Sequence, residues 1–501
     1  MGKREFFEAM ANTGLALAFD DVRLKSGYSK VAPAQVSVES LFSRNVGLKC
    51  PIVSSPMDTV TESRMAIAMA KAGGLGVIHR NLNPAQQAEE VARVKSHMNA
   101  LIMKPVCVYG DETIEEIENR RLSEGYTFQS FPVLDRESRL IGLLTKNDFD
   151  LCDNTRLHAA DVMTKELVTA PMGTSLTDAH ERMKRQKKKV LPLVDEHHKI
   201  NGMYVFSDVK RIRTGSKDAF NTDKRGHLRV AAAIGTGEEA LERAQLLAKE
   251  LVDVIVIDTA HGDSEPVFEM LRTLKRKCPE VDIVAGNVSE GDSAKRLVEY
   301  GADGIRVGQG PGSICTTRII AGIGCPQVTA VYNCAAAIEG SGVPICADGG
   351  INNSGDIPIA IGAGAHSIML GRLLAGTDEA PGETTTIRGA PHKRYRGMGS
   401  LGAMQDNKSS PRYGERNVSK DRLVPEGIEG AVPYTGPLQA VLHQNVEGLR
   451  RGMGYVGAAT IEELRKKADF HRLSSAGLRE SHPHDILITE YAPNYRKDGS
   501  P

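Results

Sequence analysis

The sequence lacks the features that mark membrane, exported and nucleic-acid-binding proteins. Its 501 residues contain no apolar run as long as the roughly 18 residues that span a bilayer. The N-terminal segment has no apolar core of the kind found in signal peptides, which predicts a cytoplasmic location and no membrane partner. Lys plus Arg and Asp plus Glu each total 63, so the net charge is zero. That balance disfavours a general nucleic-acid or acidic-membrane binder, and we expect no dedicated nucleic-acid site.

The cysteines also lack a pattern. Eight are present, and none forms a Cys-x-x-Cys pair. This scatter disfavours a metal cage or a disulfide scaffold and predicts reduced thiols. Glycine, by contrast, is abundant, and the 50 glycines cluster at the ends of apolar runs. Because glycine lets the backbone approach a ligand closely, these run ends are candidate binding positions.

Short apolar runs alternate with helical patterns along much of the chain. Eight runs are predicted to be parallel strands: 51–57, 74–79, 229–234, 252–258, 281–287, 304–307, 344–348 and 366–371. Such repeated strand–helix units predict an α/β fold, a (β/α)8 TIM barrel, with a doubly wound open sheet as the alternative. The barrel is favoured because glycine-rich, polar residues follow strand after strand, where barrels carry their sites.

The spacing breaks once, between the second and third predicted strands. The gap of roughly 150 residues holds two similar segments, 104–150 and 161–211, each with a Pro-Val-Leu-Asp or Pro-Leu-Val-Asp strand and a closing Asp. A tandem repeat of this kind predicts a paired module. We therefore divide the chain into a first barrel part, 1–98, an inserted domain, 99–215, and a second barrel part, 216–501.

The two repeats resemble the cystathionine-β-synthase (CBS) motif pair, which often binds adenine or guanine nucleotides. That resemblance implies ribose contacts by the Asp that closes each repeat, Asp148 and Asp208. The alternative is that each Asp caps the following helix.

One glycine-rich loop, 308–318, follows the sixth predicted strand and contains Cys315. Gly308, Gly310 and Gly312 allow backbone groups to face a ligand. A cysteine in an exposed polar loop can reach the thiolate form, which makes Cys315 a candidate nucleophile, although a lone loop cysteine is more often structural.

Two further glycine motifs end the seventh and eighth predicted strands, the usual phosphate-binding corner of a barrel. Backbone N–H groups at Gly349, Gly350 and Gly371 suit a monophosphate, and Asp348 suits a ribose diol. Two tight turns are the alternative interpretation. Asp258, at the end of the fourth strand, is a weaker candidate for the ribose of a dinucleotide.

An irregular stretch, 388–436, follows the last strand and is predicted to be a functional flap or a disordered excursion. It contains Arg412, which could act as a base only among groups that disfavour its charge. A solvated loop arginine is the alternative when the residue is considered by itself.

Several long motifs, in order along nearly the whole chain, resemble the bacterial type of the inosine-5′-monophosphate (IMP) dehydrogenase family. They are 19–22, 55–60, 76–79, 258–262, 308–318, 322–327, 348–350, 395–404, 412–413, 425–430 and 480–482. The resemblance implies a TIM barrel with an inserted tandem CBS (Bateman) domain.

The resemblance also implies a two-step reaction that limits the rate of de novo guanine nucleotide synthesis. Cys315 would attack C2 of IMP, and the adduct would pass a hydride to NAD, leaving a covalent thioimidate. The flap would then bring Arg412 and Tyr413 to the adduct, and Arg412 would activate the water that releases xanthosine monophosphate (XMP). Thr317 and Glu426 complete the implied catalytic set.

Ligand contacts are implied in the same way. Those to IMP are Ser313, Asp348, Gly349, Gly350, Gly371, Arg372, Tyr395, Arg396, Gly397, Met398, Gly399 and Glu426, and those to NAD are Asp258, Gly308, Gln309 and Gly310. A potassium ion would lie on Gly310, Gly312 and Cys315, with Glu480, Ser481 and His482 of a neighbouring subunit. The implied assembly is therefore a homotetramer, or an octamer formed through a CBS pair that binds regulatory adenine or guanine nucleotides.

The chain departs from the family pattern at three positions. Gln309 stands where an apolar residue is usual, Arg372 where Ser or Gly is usual, and Asp263 where His is common. Two rival functions stay open. One is guanosine monophosphate (GMP) reductase, which shares the barrel and the cysteine loop, and the other is a catalytically silent nucleotide-sensing protein.

Overall fold

The computed structural model describes residues 2–97, 101–102, 105–124, 126, 128–207, 209–210, 219–406, 423–492 and 494–495. The chain forms two compact units, one made by Met1–His97 with Ala219–Pro501 and the other by Met98–Asp218. Within the described residues, no helix combines the length and the apolar composition needed to cross a membrane.

Eight parallel strands in the first unit close into a barrel, which confirms the predicted (β/α)8 fold and excludes the open sheet. They are β1 (Ile52–Ser54), β2 (Leu75–Ile78), β3 (Ala231–Ile234), β4 (Val254–Asp258), β5 (Asp282–Val288), β6 (Gly304–Val307), β7 (Ile345–Asp348) and β8 (Ser367–Leu370). β8 pairs with β1, which closes the barrel. β2 and β3 also pair with each other, although the residues of the second unit lie between them in the sequence. The strands are almost wholly buried, because helices cover one face and the barrel interior covers the other.

A helix follows each barrel strand. These are α1 (Ser63–Lys71), α2 (Pro84–Ser96), α3 (Glu238–Lys249), α4 (Glu265–Lys277), α5 (Gly291–Glu299), α6 (Gln327–Ala337), α7 (Asp356–Ala363) and α8 (Leu438–Val456). In α4, Val267, Leu271 and Leu274 recur on one face and are buried, each worth about 1.5–3 kcal/mol. Three basic residues in its last turn suit the negative end of the helix dipole.

The N-terminal edge of the barrel is covered by a hairpin of Ser40–Ser43 and Val46–Leu48. Phe42 of this hairpin is fully buried and packs in the same core as Val53 and Val254. Other elements surround the barrel: helices Lys3–Asn12, Ile461–Lys467 and Ser475–Glu480, 3-10 helices Phe19–Asp21 and Pro33–Gln35, and paired strands Val22–Leu24 and Phe470–Arg472.

A small antiparallel sheet lies within the predicted flap region and next to it. Its strands are Thr384–Ile387, Ala390–Arg396 and Glu429–Pro433. The short helix Leu401–Asp406 also lies in the flap region, whereas the short helices Thr317–Ile320 and Arg372–Ala375 lie elsewhere in the first unit. Arg412 and Tyr413, to which hydrolysis was ascribed, lie outside the described residues.

The second unit contains two sheets with the same internal order. Val108–Tyr109 runs parallel to Phe131–Leu134, which pairs antiparallel with Leu140–Leu144. Ala170–Pro171, Val190–Val194 and Ile200–Val205 repeat that order, and Leu101–Ile102 extends the second sheet. Helices described in this unit include Ile114–Ser123, Lys146–Asp150, Ala159–Val162 and Leu176–Arg185.

Asp148 of this second unit makes local hydrogen bonds. Its Oδ2 accepts from the backbone N–H and the hydroxyl of Thr145, both at 2.7 Å, at the start of helix Lys146–Asp150. This is the capping geometry that was the alternative to a nucleotide contact. Asp208 lies outside the described residues.

Candidate active site

A cavity of about 490 Å³ opens at the C-terminal edge of the barrel strands. Residues at the C-terminal ends of β1 and β4 to β8, or in the loops that follow them, line it, together with residues around Tyr395 and Glu426. Most of the predicted site residues meet here: Gly308, Gln309, Gly310, Gly312, Ser313, Cys315, Thr317, Asp348, Gly349, Gly350, Gly371, Arg372, Tyr395, Gly397, Met398, Gly399 and Glu426.

The loop that carries Cys315 begins with a close approach between two strands. A Cβ on Gly308 would lie 2.2 Å from the carbonyl oxygen of Asp348, and the φ of Gly308 is +146°, so only glycine fits there. Farther along, the Cys315 N–H donates to the Gly312 carbonyl at 3.0 Å. The Cys315 Sγ lies 3.1 Å from the hydroxyl oxygen of Thr317.

Backbone hydrogen bonds hold the cysteine loop against the flap side of the cavity. The Thr316 N–H donates to the Glu426 carbonyl, and the Ile428 N–H donates to the Ile314 carbonyl, each at 3.0 Å. The Glu426 N–H in turn donates to the Gly399 carbonyl. Three stretches that are far apart in sequence therefore fix the backbone on either side of Cys315.

The other thiols contrast with Cys315. Burial raises the pKa of Cys346 to about 12 and that of Cys325 to about 11, which disfavours their thiolate forms. Cys315 is partly exposed and is the cysteine found among the described residues that line the cavity. Among these three thiols, Cys315 is the one that a bound substrate can reach.

In the wall of the cavity, Arg306 of β6 joins two carboxylates. Its Nη1 donates to Asp258 Oδ1 and its Nη2 to Asp348 Oδ2, both at 2.8 Å, and the side chain is 2% exposed. Burial disfavours the charge of Arg306, but the two carboxylates raise its pKa above the usual value. The guanidinium therefore stays charged and fixes the positions of both aspartates.

Asn287 completes the surroundings of Asp348. Its Nδ2 donates to Asp348 Oδ2 at 2.8 Å and to the Gly308 carbonyl at 2.7 Å. Asp348 Oδ2 therefore receives hydrogen bonds from Arg306 and Asn287, which leaves Oδ1 available to a ligand. Within the described structure the Oδ1 of Asn287 has no partner and is fully buried, so Asp348 Oδ1 is the acceptor that this wall offers to ligand hydroxyl groups.

The glycines after β7 and β8 also line the cavity. Gly349 and Gly350 have φ values of +90° and +82°, which glycine adopts readily. Arg372 Nη2 donates to the side-chain oxygen of Asn352 at 2.9 Å.

Burial raises the pKa of Tyr395 to about 12, so its hydroxyl remains a neutral hydrogen-bond donor at physiological pH.

Some predicted site residues are placed elsewhere. Asp258 is 2% exposed and lies in the ion pair with Arg306, beneath the cavity and not in its lining. Arg396 forms a buried ion pair with Asp58, Nη2 to Oδ2 at 2.6 Å, and is likewise not in the lining.

The C-terminal residues ascribed to a cation site are also outside the lining. Glu480 ends helix Ser475–Glu480, and Ser481 and His482 follow it. His482 Nδ1 lies 3.0 Å from the Tyr495 hydroxyl.

Sequence reasoning missed Asn287, Arg306, Ser55 and Met57, all of which line the cavity. Arg306 carried a usable signal, because a charged residue inside an apolar strand requires buried partners of opposite charge. Asp258 and Asp348, at the ends of two other strands, were the available carboxylates. Asn287 carried no comparable signal.

This chain is similar in sequence to known proteins along nearly its whole length. Residues 16–484 match the family described as "IMP dehydrogenase / GMP reductase domain". The inosine-5′-monophosphate dehydrogenase of Aquifex aeolicus is 50% identical over 488 residues, covering 96% of this chain and 98% of the relative. That of Halalkalibacterium halodurans is 48% identical over 480 residues, with the same coverages.

A solved structure is also similar. It is a GMP reductase variant from Trypanosoma brucei in complex with guanosine 5′-monophosphate. The TM-score is 0.87 and the sequence identity 37%, over 94% of this chain and 98% of the other.

Proposed function

The chain belongs to the IMP dehydrogenase / GMP reductase family, and from this premise we propose that it oxidises IMP to XMP with NAD. The observation that carries the proposal is the 50% identity to an IMP dehydrogenase over 96% of this chain. The cavity at the barrel edge, with Cys315 in its lining, supports it. Overall, IMP, NAD⁺ and water give XMP, NADH and a proton.

In the first step, the Cys315 thiol would release its proton to solvent as Sγ bonds to C2 of IMP, and the hydrogen on C2 would leave as a hydride, which NAD⁺ would accept as the second substrate. The C2–N double bond is restored, and the substrate stays attached as a thioimidate. This route suits C2, which lies between two ring nitrogens and is electrophilic. The Thr317 hydroxyl, 3.1 Å from Sγ, is placed to hydrogen-bond the sulfur.

In the second step, water adds to C2, the C–S bond breaks, and XMP leaves as the thiol is restored. We ascribe activation of the water to Arg412 with Tyr413, outside the described residues, after the flap enters the site. Glu426 lies in the cavity lining, and its backbone is joined to that of Thr316 at 3.0 Å. It is the described flap-side residue that we assign to this step, together with Thr317.

The substrate is assigned to the wall between β6 and β8. Asp348 Oδ1 is available for the ribose hydroxyls. The phosphate would accept hydrogen bonds from the backbone N–H groups of Gly349, Gly350 and Gly371. Neighbouring backbone N–H groups of this kind favour the binding of an anion. Ser313, Tyr395 and the stretch Gly397, Met398 and Gly399 would hold the rest of the nucleotide, whereas Arg372 and Arg396 have protein partners.

NAD is assigned to the side of the cavity formed by Thr259, Ala260 and the loop Gly308, Gln309 and Gly310. Asp258 would act from beneath, through its ion pair. A potassium ion would fit main-chain oxygens of the cysteine loop, because the carbonyls of Gly310 and Cys315 accept no hydrogen bond from the described backbone. When bound, such a cation would supply only positive charge that orders the loop.

The remaining assignments concern assembly and regulation. Gly312 and the residues Glu480, Ser481 and His482 of a second copy would complete the cation shell, which calls for a homotetramer. The second unit would be a tandem CBS domain that binds adenine or guanine nucleotides near Asp148 and Asp208 and could join tetramers into an octamer. Its support is the repeated sheet order. We place the enzyme in the cytoplasm.

The test is a pair of assays on the purified full-length chain. With IMP and NAD we expect NADH to form, and with GMP and NADPH we expect no oxidation of NADPH. The second assay is included because of the structural likeness to a GMP reductase. NADPH oxidation with GMP and no NADH from IMP would establish the rival reaction, and inactivity in both assays of folded protein would favour the nucleotide-sensing alternative.

A further inference from the structure

The side chain of Gln309 joins the ends of three successive barrel strands. Gln309 follows β6 and is 8% exposed. Its Oε1 accepts from the hydroxyl of Ser289, after β5, at 2.8 Å. Its Nε2 donates to the carbonyl of Ala260, after β4, at 3.1 Å, and lies 3.2 Å from Nδ1 of His261. An apolar residue at this position would make none of these bonds.

The orientation of the Gln309 amide follows from its partners. Nε2 must face the Ala260 carbonyl, because two oxygen acceptors cannot share a hydrogen bond. The second hydrogen of Nε2 then points to His261 Nδ1, which must accept it. The imidazole proton is therefore on Nε2, so that His261 presents a hydrogen-bond donor on the side away from Gln309.

The backbone of Gln309 extends the same connection to the cysteine loop. Its carbonyl accepts from Arg318 Nε at 3.0 Å, and Arg318 Nη2 donates to the Cys325 carbonyl at 2.5 Å. Thr259 and Ala260, next to His261, line the cavity together with Gln309. One residue thus links the loop of the nucleophile with the wall formed by the β4 loop.

We propose that Gln309 is a positioning residue for the dinucleotide. It fixes the loop after β4 and holds His261 with its proton on Nε2 before the dinucleotide binds. This inference rests on the proposed function, since it requires NAD as the second substrate. The Nε2–H of His261 would donate a hydrogen bond to an acceptor atom of NAD. Because the loop is already ordered in the free enzyme, NAD binding would not have to bear the entropic cost of ordering it.

The first test replaces Gln309 by Met, which has similar length and no amide. We expect the KM for NAD to rise about tenfold, with kcat and the KM for IMP changed less than about twofold. If Gln309 only fills space, Gln309→Met will keep the wild-type KM for NAD, and the proposal fails. The control is Gln186→Met, an exposed glutamine of the second unit, which should match the wild type.

The second test asks whether Gln309 acts through His261. We expect His261→Ala to raise the KM for NAD, and the double variant with Gln309→Met to be no worse than His261→Ala. Independent roles would multiply the two effects and would overturn the proposal. Thermal unfolding of each variant separates these outcomes from loss of fold.

A third measurement does not depend on catalysis. The ring ¹⁵N shifts of His261, assigned by their loss in His261→Ala, should show protonated Nε2 and unprotonated Nδ1 at neutral pH. The opposite tautomer would overturn the proposal. A wild-type protein could show the expected tautomer and yet make no NADH from IMP. That result would mean that the proposed reaction is wrong, and the assignment of Gln309 to NAD would fail with it. The hydrogen bonds between Gln309 and His261 would still be confirmed.

Discussion

Both edges of the barrel carry buried polar side chains, but their hydrogen-bond partners differ. At the N-terminal edge, Asp282 accepts hydrogen bonds from the hydroxyl of Ser43 and from the backbone and side chain of Asn45. Asp253 there accepts from Lys95 Nζ at 2.6 Å and from the Val230 N–H at 2.8 Å. The protein itself therefore occupies both oxygens of Asp282 and the Oδ2 of Asp253, and neither residue is in the lining of the cavity.

At the C-terminal edge, protein partners occupy only part of each polar group. Asp348 uses Oδ2 and leaves Oδ1, and Asn287 uses Nδ2 and leaves Oδ1. Both lie in the wall of a cavity that also contains Cys315. The comparison teaches that a buried charge at a strand end does not by itself indicate a site, whereas unmet hydrogen bonds facing a cavity do.

The largest effect is expected at the N-terminal edge and on stability alone. Lys95→Met leaves Asp253 and Asp223 facing each other without their cation, and burial already raises the pKa of Asp253. We expect a loss of about 3–5 kcal/mol in the free energy of unfolding, with unchanged kcat per folded molecule. Denaturant unfolding measures it. The control Lys49→Met breaks an exposed pair with Glu39 and should cost less than about 1 kcal/mol.

A change in kcat of the folded Lys95→Met protein would break the comparison, because it would give the N-terminal edge a part in catalysis.

The next effect is expected at the C-terminal edge and on activity. The variant Arg306→Lys keeps the positive charge. Its ammonium group cannot donate to Asp258 and Asp348 at once in the geometry that the planar guanidinium provides. We expect kcat/KM to fall about 100-fold, or about 2.7 kcal/mol in transition-state stabilisation, because Asp348 loses its fixed position. The matched control is Arg243→Lys, a buried arginine that donates to Gln87 between α3 and α2.

Steady-state kinetics with both substrates gives the answer. Equal losses of activity in the two arginine variants would mean that burial of the cation, and not its place in the cavity wall, sets the rate.

Much of the fold and part of the site could be predicted from the sequence, but the contacts of Arg306 could not. The eight strands were predictable because each is an apolar run that ends in glycine or polar residues, and parallel strands are buried on both faces. The cysteine loop and the glycine corner were predictable because they are continuous motifs. The pairing of Arg306 with Asp258 and Asp348 joins three strands, and such a contact exists only once the barrel is closed.

The location of Asp258 and Arg396 shows the same limit. Both lie in motifs of the site, and in both the side chain turns to a protein partner, Arg306 and Asp58 respectively. A motif fixes where a residue lies along the chain, whereas the partner that it meets depends on the neighbouring strands. The ligand contacts carried over from the family stay predictions for this reason.

A smaller effect is expected from pH at the N-terminal edge. Burial and the charge of Arg465, partly offset by Glu462, lower the pKa of His366 from 6.5 to about 3, and its Nδ1 accepts from the Ile345 N–H. The unfolded chain therefore binds this proton first as pH falls, and stability is lost progressively below pH 6.5. His366→Asn, which keeps an acceptor, should be less acid-sensitive by about 1–2 kcal/mol between pH 7 and pH 5.

Unfolding free energies at the two pH values decide this prediction. Identical acid sensitivity of the two proteins would show that His366 is not buried in its neutral form.

The smallest effect is expected from Tyr395→Phe. The hydroxyl of Tyr395 lies at the cavity, 3.8 Å from Met57 Sδ, and the ring stays buried in the variant. Loss of one neutral hydrogen bond to the substrate should raise the KM for IMP about threefold to fivefold. The control Tyr434→Phe removes a hydroxyl that donates to Asp378 outside the cavity and should leave this KM unchanged. An unchanged KM in Tyr395→Phe would remove Tyr395 from the substrate contacts.

The central claim is that the C-terminal edge performs covalent chemistry at Cys315. Mass spectrometry of the protein quenched in acid during turnover with IMP and NAD tests it most directly. We predict an IMP-derived adduct on the peptide that contains Cys315, and neither adduct nor NADH with Cys315→Ala. An enzyme that forms NADH with no adduct on Cys315, or with one on another cysteine, would contradict the account.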